Sequence, residues 1–198
     1  DHGRNYIEKN YKRPLMQRIV RNFLSKTLTD PNLFRLMGRL TLLIKPFYFL
    51  LPRFLKNALK LMPNNFPKKE LPNKKIYYSK ANKITARVAL LVGCVQRVLS
   101  PQINESTIRL LNRHGVHVVV PESVECCGSL NHHLGKEDRA KESFKKNINI
   151  WYDEYLKNGL DAIISNTSGC GTTMKDYGFI FRDDKEYKKK AKKISELT

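Results

Sequence analysis

The chain has 198 residues, enough for one domain or a domain with an appendage; its 41% apolar and 28% charged content is ordinary for a folded protein and excludes wholesale disorder. Its 37 Lys and Arg against 18 Asp and Glu leave a formal net charge of +19, which points to an anionic partner. No apolar run approaches the roughly 18–20 residues of a spanning helix, and no signal-peptide pattern stands near Asp1, a first residue that reads as that of a fragment or processed product.

The charge is unevenly spread. Residues 1–80 carry 18 basic and 4 acidic side chains, residues 81–180 carry 12 and 10, and residues 181–198 carry 7 and 4. The basic excess therefore belongs mainly to the first 80 residues, which read as helices broken by prolines. Pro14 opens the first, whose apolar stripe is Leu15, Ile19, Phe23 and Leu24, with Arg18, Arg21 and Lys26 largely off it. Asp30 and Pro31 have the pattern of an N-cap and first helical residue for a helix over 32–44. The apolar segment Phe47–Leu51, flanked by Lys45, Arg53 and Lys56, has two readings. One is a basic amphipathic surface on anionic lipid. The other, preferred because amphipathic helices mostly face a core, is packing against a neighbouring domain or subunit. Residues 1–61 are thus expected as a basic helical extension. Residues 62–84, which hold Pro63, Pro67 and Pro72, are expected as a linker.

From residue 85 the texture changes to that of an α/β domain running to 198. Val88–Val92 is a continuous apolar run of the kind found in buried parallel strands. A helix over 101–114 follows, ended by Gly115 in a left-handed position. Val116–Val120 reads as a second strand, 136–158 as a long helix, Ala162–Ile164 as a third strand and 172–178 as a further helix. The order β-α-β-α-β-α predicts a parallel sheet of β-α-β units with right-handed crossovers.

All four cysteines fall just after predicted strands: Cys94 after the first, Cys126 and Cys127 after the second, Cys170 after the third. The carboxyl ends of parallel strands share one edge, where open α/β folds place their sites. Four thiols gathered there suit a soft metal or an iron–sulfur cluster. The gaps, 31 residues between Cys94 and Cys126 and 42 between Cys127 and Cys170, are not those of a zinc ribbon with its paired C-x-x-C knuckles. A turn at Gly128 would aim both adjacent cysteines at one centre. Gly93, Gly128, Gly169 and Gly171 would let backbone N–H groups approach sulfur. Two other readings stay open: apolar cysteines buried at strand ends, and a vicinal Cys126–Cys127 disulfide. His132 and His133 could lie just outside the ligands, hydrogen-bond sulfur or move a proton, or could instead cap the helix near 136. Gln96 and Lys175 are candidate polar groups for the same edge.

Three segments carry a family resemblance. They are Val92-Gly93-Cys94-Val95-Gln96, Glu125-Cys126-Cys127-Gly128-Ser129-Leu130-Asn131-His132-His133-Leu134-Gly135 and Thr167-Ser168-Gly169-Cys170-Gly171. Together they resemble the cysteine-rich C-C-G domains of glycolate-oxidase iron–sulfur subunits. Lys12-Arg13-Pro14, Lys175-Asp176-Tyr177-Gly178 and Arg182-Asp183-Asp184 are similar to that family too. The resemblance implies an iron–sulfur cluster, of the 4Fe-4S type, held by Cys94, Cys126, Cys127 and Cys170, with zinc as the alternative metal. It implies an electron-transfer subunit that accepts electrons from a flavin-containing subunit oxidising a 2-hydroxy acid and passes them toward quinone. The implied location is cytoplasmic, with peripheral contact at the inner membrane face, and the chain is not expected to catalyse alone. Family members carry a ferredoxin module followed by two C-C-G domains. This sequence shows one C-C-G and no ferredoxin motif, so it reads as the middle portion of such a subunit, truncated, split or degraded. Where many C-C-G domains end in C-x-x-C, Cys170 is followed by Gly171, Thr172 and Thr173, which leaves four cysteines rather than five. The alternative function is a zinc-binding or metal-free docking module of the same kind of complex. Nucleic acid is not the expected partner, because the basic residues are scattered over helix faces without stacking aromatics.

Overall fold

The computed structural model describes residues 2–60, 63–67, 75–121 and 123–198. Asp1, the expected boundary at 61–62 and the part of the expected linker over 68–74, with Pro72, lie outside the described residues.

Four helices open the chain: α1 (His2–Asn10), α2 (Leu15–Thr27), α3 (Pro31–Ile44) and α4 (Arg53–Lys60), with a tighter 3-10 segment at Lys45–Leu50 between the last two. Asp30 caps α3 as its sequence signature predicts, its carboxylate accepting from the N–H groups of Asn32 and Leu33 at 2.9 and 3.1 Å. Within the stretch read as linker, Ile76–Tyr77 forms a short strand, β1.

The remaining elements alternate. Strand β2 (Ala86–Leu91) leads through α5 (Gln96–Leu99) and α6 (Pro101–Arg113) to β3 (Val116–Val119). Then come α7 (Ser129–His133), α8 (Glu137–Asn158), β4 (Ala162–Ser165), α9 (Ser168–Lys175), α10 (Tyr177–Ile180) and α11 (Lys188–Leu197). The sheet order is β1-β3-β2-β4, with β2 parallel to both β3 and β4. The parallel α/β architecture is therefore present. It gains one antiparallel edge strand, since β1 pairs Ile76 with Val119 and Tyr77 with Val118.

Because side chains alternate across a strand, the apolar runs of β2 and β3 feed two cores. Val88, Leu90 and Val118 face Ile108 of α6 on one side of the sheet. Ala89, Leu91 and Val119 face Phe144, Ile148 and Trp151 of α8 on the other, where Ala191 and Ile194 of α11 complete the layer. The segment 101–113 is helical as its periodicity indicates, and Gly115 ends it with φ +81°. Helix α9 starts four residues earlier than the 172–178 pattern suggests, which puts Cys170 inside its first turn. Among the described residues no helix is long and apolar enough to cross a membrane.

The basic extension docks through polar groups. The Arg21 guanidinium donates to the Leu134 carbonyl at 2.7 Å, and the Ser25 hydroxyl donates to Asn131 Oδ1 at 2.6 Å. Glu8 accepts from both Arg13 and Arg21. Burial works against its charge, but the two guanidiniums outweigh that and hold the carboxyl below the usual carboxylate range. The apolar stripe of α2 points the other way: Leu15, Met16, Ile19, Val20 and Phe23 are exposed, as are Phe47, Phe49 and Leu50 beyond α3.

Phe144 ties these layers together. It is fully buried and packs against the rings of Tyr177 at 4.7 Å and Phe181 at 6.4 Å. Phe144→Ala is expected to cost about 3–5 kcal/mol, read as a fall in the urea midpoint.

Candidate cluster site at the carboxyl edge of the sheet

The four cysteines converge as their positions after the strands predict. Cys94 lies three residues past β2, Cys126 and Cys127 follow β3, and Cys170 lies in the first turn of α9 after β4. The Cys94 thiol contacts that of Cys126, Cys126 contacts Cys127, and Cys127 contacts Cys170. Residues up to 76 positions apart along the chain (170 minus 94) are thus linked in one row at one sheet edge. All four are free thiols; Cys126 and Cys127 are 5% and 2% exposed, and the outer two are partly exposed.

The adjacent pair is aimed by its backbone. Gly128 stands at φ +80°, and a Cβ there would lie 2.4 Å from the Phe144 ring, so both the conformation and the space demand glycine. The turn gives each sulfur its own donor: the Gly128 N–H reaches Cys126 and the Ser129 N–H reaches Cys127. The carbonyls of the pair are held as well. Asn147, wholly buried on α8, donates to the Cys126 carbonyl at 3.0 Å and accepts from the Glu125 N–H at 3.0 Å. The buried Tyr177 hydroxyl donates to the Cys127 carbonyl at 2.7 Å. These contacts satisfy backbone groups that have left the ladder.

Three of the thiols, Cys94, Cys126 and Cys127, are held toward their protonated form. Contact with Cys126, and then burial, push the Cys94 thiol far above its ordinary range. Contact with Cys127 is the largest effect raising Cys126, which is pushed up to about 12. For Cys127, contact with Cys126 favours the thiolate, but contact with Cys170 and burial outweigh it and push the thiol up to about 12.

Among the described residues no group of three or more His, Cys, Asp or Glu side chains is placed to hold a metal ion. The donor set nevertheless fits a thiolate-ligated group: four sulfurs, no competing carboxylate in the row, and backbone N–H groups directed at sulfur. Those N–H groups stabilise thiolate, and a cation would offset the sulfur contacts and burial that raise Cys94, Cys126 and Cys127.

The two histidines follow the cysteine pair by five residues. Both belong to α7 rather than capping α8. The His132 ring packs edge-on against Phe144 at 5.7 Å and lines a separate cavity of about 140 Å³ with Asp176 and Phe179. His133 is exposed at the helix end, and burial and the Arg4 charge lower its pKa. Lys175 is exposed in the last turn of α9. Gln96 does reach the edge, where its side chain bonds Asn104 and Thr167, each at 3.0 Å.

A cleft of about 360 Å³ opens beside Cys126. Thr29, Asp30 and Pro31, at the corner between α2 and α3, form one wall; Gly93, Arg97 and Glu125 form the other. The extension therefore borders the thiol row. Sequence reasoning did not single out Asn104 or Asn147, and it quoted Tyr177 only within the Lys175–Gly178 stretch. Their signal was present: Asn147 lies on the helical face of Phe144, Ile148 and Trp151, and Asn104 lies one turn before Ile108, so each is a polar residue on a buried face.

The comparisons with known proteins agree with the motif reading. Residues 88–175 match the cysteine-rich domain (CCG) family. The chain is 33% identical over its whole length to the glycolate oxidase iron-sulfur subunit of Escherichia coli (strain K12), covering 45% of that protein. It is 27% identical to the probable glycolate oxidase iron-sulfur subunit of Bacillus subtilis (strain 168), over 96% of this chain and 45% of the relative. Over 57% of this chain it is 29% identical to lactate utilization protein A of Bacillus thuringiensis (strain Al Hakam), covering 44% of that relative. The chain thus spans less than half the length of these relatives. No solved structure matches it significantly.

The raised thiols make a pH prediction. Cys126 and Cys127 hold protons in the folded chain above the ordinary thiol value of 9.0, so the unfolded state loses those protons first. Their contribution to stability is complete below pH 9.0 and is lost as pH rises toward about 12. Chemical denaturation across that range should show a smaller alkaline loss in the Cys126→Ser, Cys127→Ser double variant than in the unaltered chain.

Proposed function

We propose that this chain, which carries a cysteine-rich domain at residues 88–175, is part of the iron–sulfur subunit of a 2-hydroxy-acid-oxidising complex. The observation that carries the reading is the row of four thiols at the carboxyl edge of the sheet, together with relatives named as iron–sulfur subunits of glycolate oxidase. Cys94, Cys126, Cys127 and Cys170 would hold the cluster, of the 4Fe-4S type. When bound, the cluster would supply one-electron acceptance and donation. The chain's own residues do the rest. The turn at Gly128 presents two sulfurs, the Gly128 and Ser129 N–H groups favour their thiolate form, and the buried walls keep water from the inner pair.

The electrons would come from a flavin-containing subunit and pass toward quinone. The exposed apolar stripe of α2, with Arg18 and Lys26 beside it, supplies a face for a partner subunit or for the inner face of the cytoplasmic membrane. The separation into a basic extension over 1–61, a linker over 62–84 and an α/β domain over 85–198 remains part of this reading. In it, the extension is the docking element and the α/β domain the electron carrier.

The second reading is a non-redox zinc-binding or metal-free docking module of the same kind of complex. Anaerobic reconstitution with iron and sulfide separates the two. The cluster reading expects visible charge-transfer absorption, acid-labile sulfide, and loss of most of both in Cys126→Ser and Cys170→Ser. Unchanged spectra in those variants, or zinc without labile sulfide, would overturn it.

A further inference from the structure

We propose that Asn104 is a positioning residue that clamps the Cys94 loop to the Cys170 loop, and so sets the two outer sulfurs of the thiol row. The proposal rests on the cluster-holding reading above and adds a device to it.

The need for a clamp follows from the topology. Strand β2 is the point of reversal, with β3 on one side and β4 on the other. The crevice at such a reversal is where open α/β sheets bind their ligands. Pairing between β2 and β4 ends with Leu91 opposite Ser165. Beyond that register the main chain supplies no ladder, and the two loops separate toward α5 and α9. Yet Cys94 and Cys170, one on each loop, must both reach the adjacent pair Cys126 and Cys127.

Side chains bridge the gap. Asn104 lies on α6 and is 0% exposed. Its Nδ2 donates to the Val92 carbonyl at 2.9 Å. A carbonyl can only accept, so this bond fixes which way the amide faces. Asn104 Oδ1 then accepts from Gln96 Nε2 at 3.0 Å and from Asn166 Nδ2 at 3.0 Å. Thr167 closes the circuit by donating to Gln96 Oε1 at 3.0 Å. Val92 and Gln96 flank Cys94 at two residues on either side, while Asn166 and Thr167 immediately precede the turn that carries Cys170. One buried amide therefore binds both loops, and water cannot replace it without entering the core.

The inner pair is held independently, by Asn147 and Tyr177 on the other face of the sheet. Loss of Asn104 should therefore loosen the outer sulfurs and leave the inner ones in place. A matched control lies on the same helix. Asn112 donates to the Tyr77 and Val116 carbonyls at 3.0 and 2.8 Å, near the opposite end of the strands.

The test uses the full 198-residue chain as Asn104→Ala, Asn104→Asp and Asn112→Ala variants. Thiol alkylation by iodoacetamide in the metal-free chain is mapped cysteine by cysteine. Asn104→Ala should label Cys94 and Cys170 severalfold faster with Cys126 and Cys127 unchanged. Asn104→Asp, which keeps the two acceptor bonds and loses the donor to Val92, should fall between, and it serves if the alanine variant does not fold. Asn112→Ala should leave all four rates at the parent value. In chains loaded with iron and sulfide, Asn104→Ala should lose iron to a chelator about 10-fold faster, the size of effect seen when a ligand's supporting partner is removed. A uniform rise at all four cysteines, or an unchanged outer pair, would overturn the proposal. If the parent chain takes up no iron or sulfide, the cluster reading fails, while the labelling pattern still decides the role of Asn104.

Discussion

A buried carbonyl needs a donor, and three carbonyls at the carboxyl edge of this sheet have left the ladder that would supply one. Val92, Cys126 and Cys127 lie where β2 and β3 have ended, and each is met by a side chain from a packed helix: Asn104, Asn147 and Tyr177. Leaving any of these groups unpaired would cost about 1–3 kcal/mol. The same bonds that avoid that cost fix the path of the loops, and the loops carry the cysteines. The thiol row thus follows from backbone hydrogen-bond satisfaction at a sheet edge.

The edge is also where opposing demands meet. Thiols in mutual contact and out of water favour the protonated state, whereas ligation needs thiolate. The turn at Gly128 moderates the conflict by placing an N–H on each inner sulfur. Its glycine is required twice over, by a left-handed φ and by the Phe144 ring lying against it. Phe144 in turn packs on Tyr177, the residue that holds the Cys127 carbonyl. Core packing and site geometry share these side chains, so a core substitution here also disturbs the site.

The first helices invert the usual arrangement of an amphipathic helix. α2 meets the α/β layer with Arg21 and Ser25 and turns Leu15, Ile19 and Phe23 outward. A helix of this kind does not gain its place mainly from apolar burial within the chain. It is held by a few directed polar bonds, and its apolar face remains available for another surface. The corner between α2 and α3 also walls the cleft beside Cys126, so the basic extension and the thiol row adjoin despite their separation in sequence.

Much of this was legible in the sequence because it depends on local pattern. The apolar runs Val88–Val92, Val116–Val120 and Ala162–Ile164 mark the parallel strands; Asp30-Pro31 marks the start of α3; Gly115 marks the end of α6. The placement of every cysteine just past a strand follows from those runs, and with it the convergence at one edge, since parallel strands share their carboxyl side. Other features needed the tertiary structure, because they depend on what lies across a gap of many residues. The pairing of β1 with β3 joins a two-residue strand to a partner far along the chain, with too few residues to show an alternation. Of the histidines beside the cysteine pair, His132 turns toward Phe144 and its cavity while His133 is exposed, because α7 winds through them. The outward apolar face of α2 reverses what its periodicity alone suggests, because the groups it docks against are carbonyls and an amide. By itself the sequence determined the α/β order and the edge that bears the thiols. Only the folded chain decided which buried amides hold them there, because a hydrogen bond depends on distance and direction in space rather than on spacing in sequence.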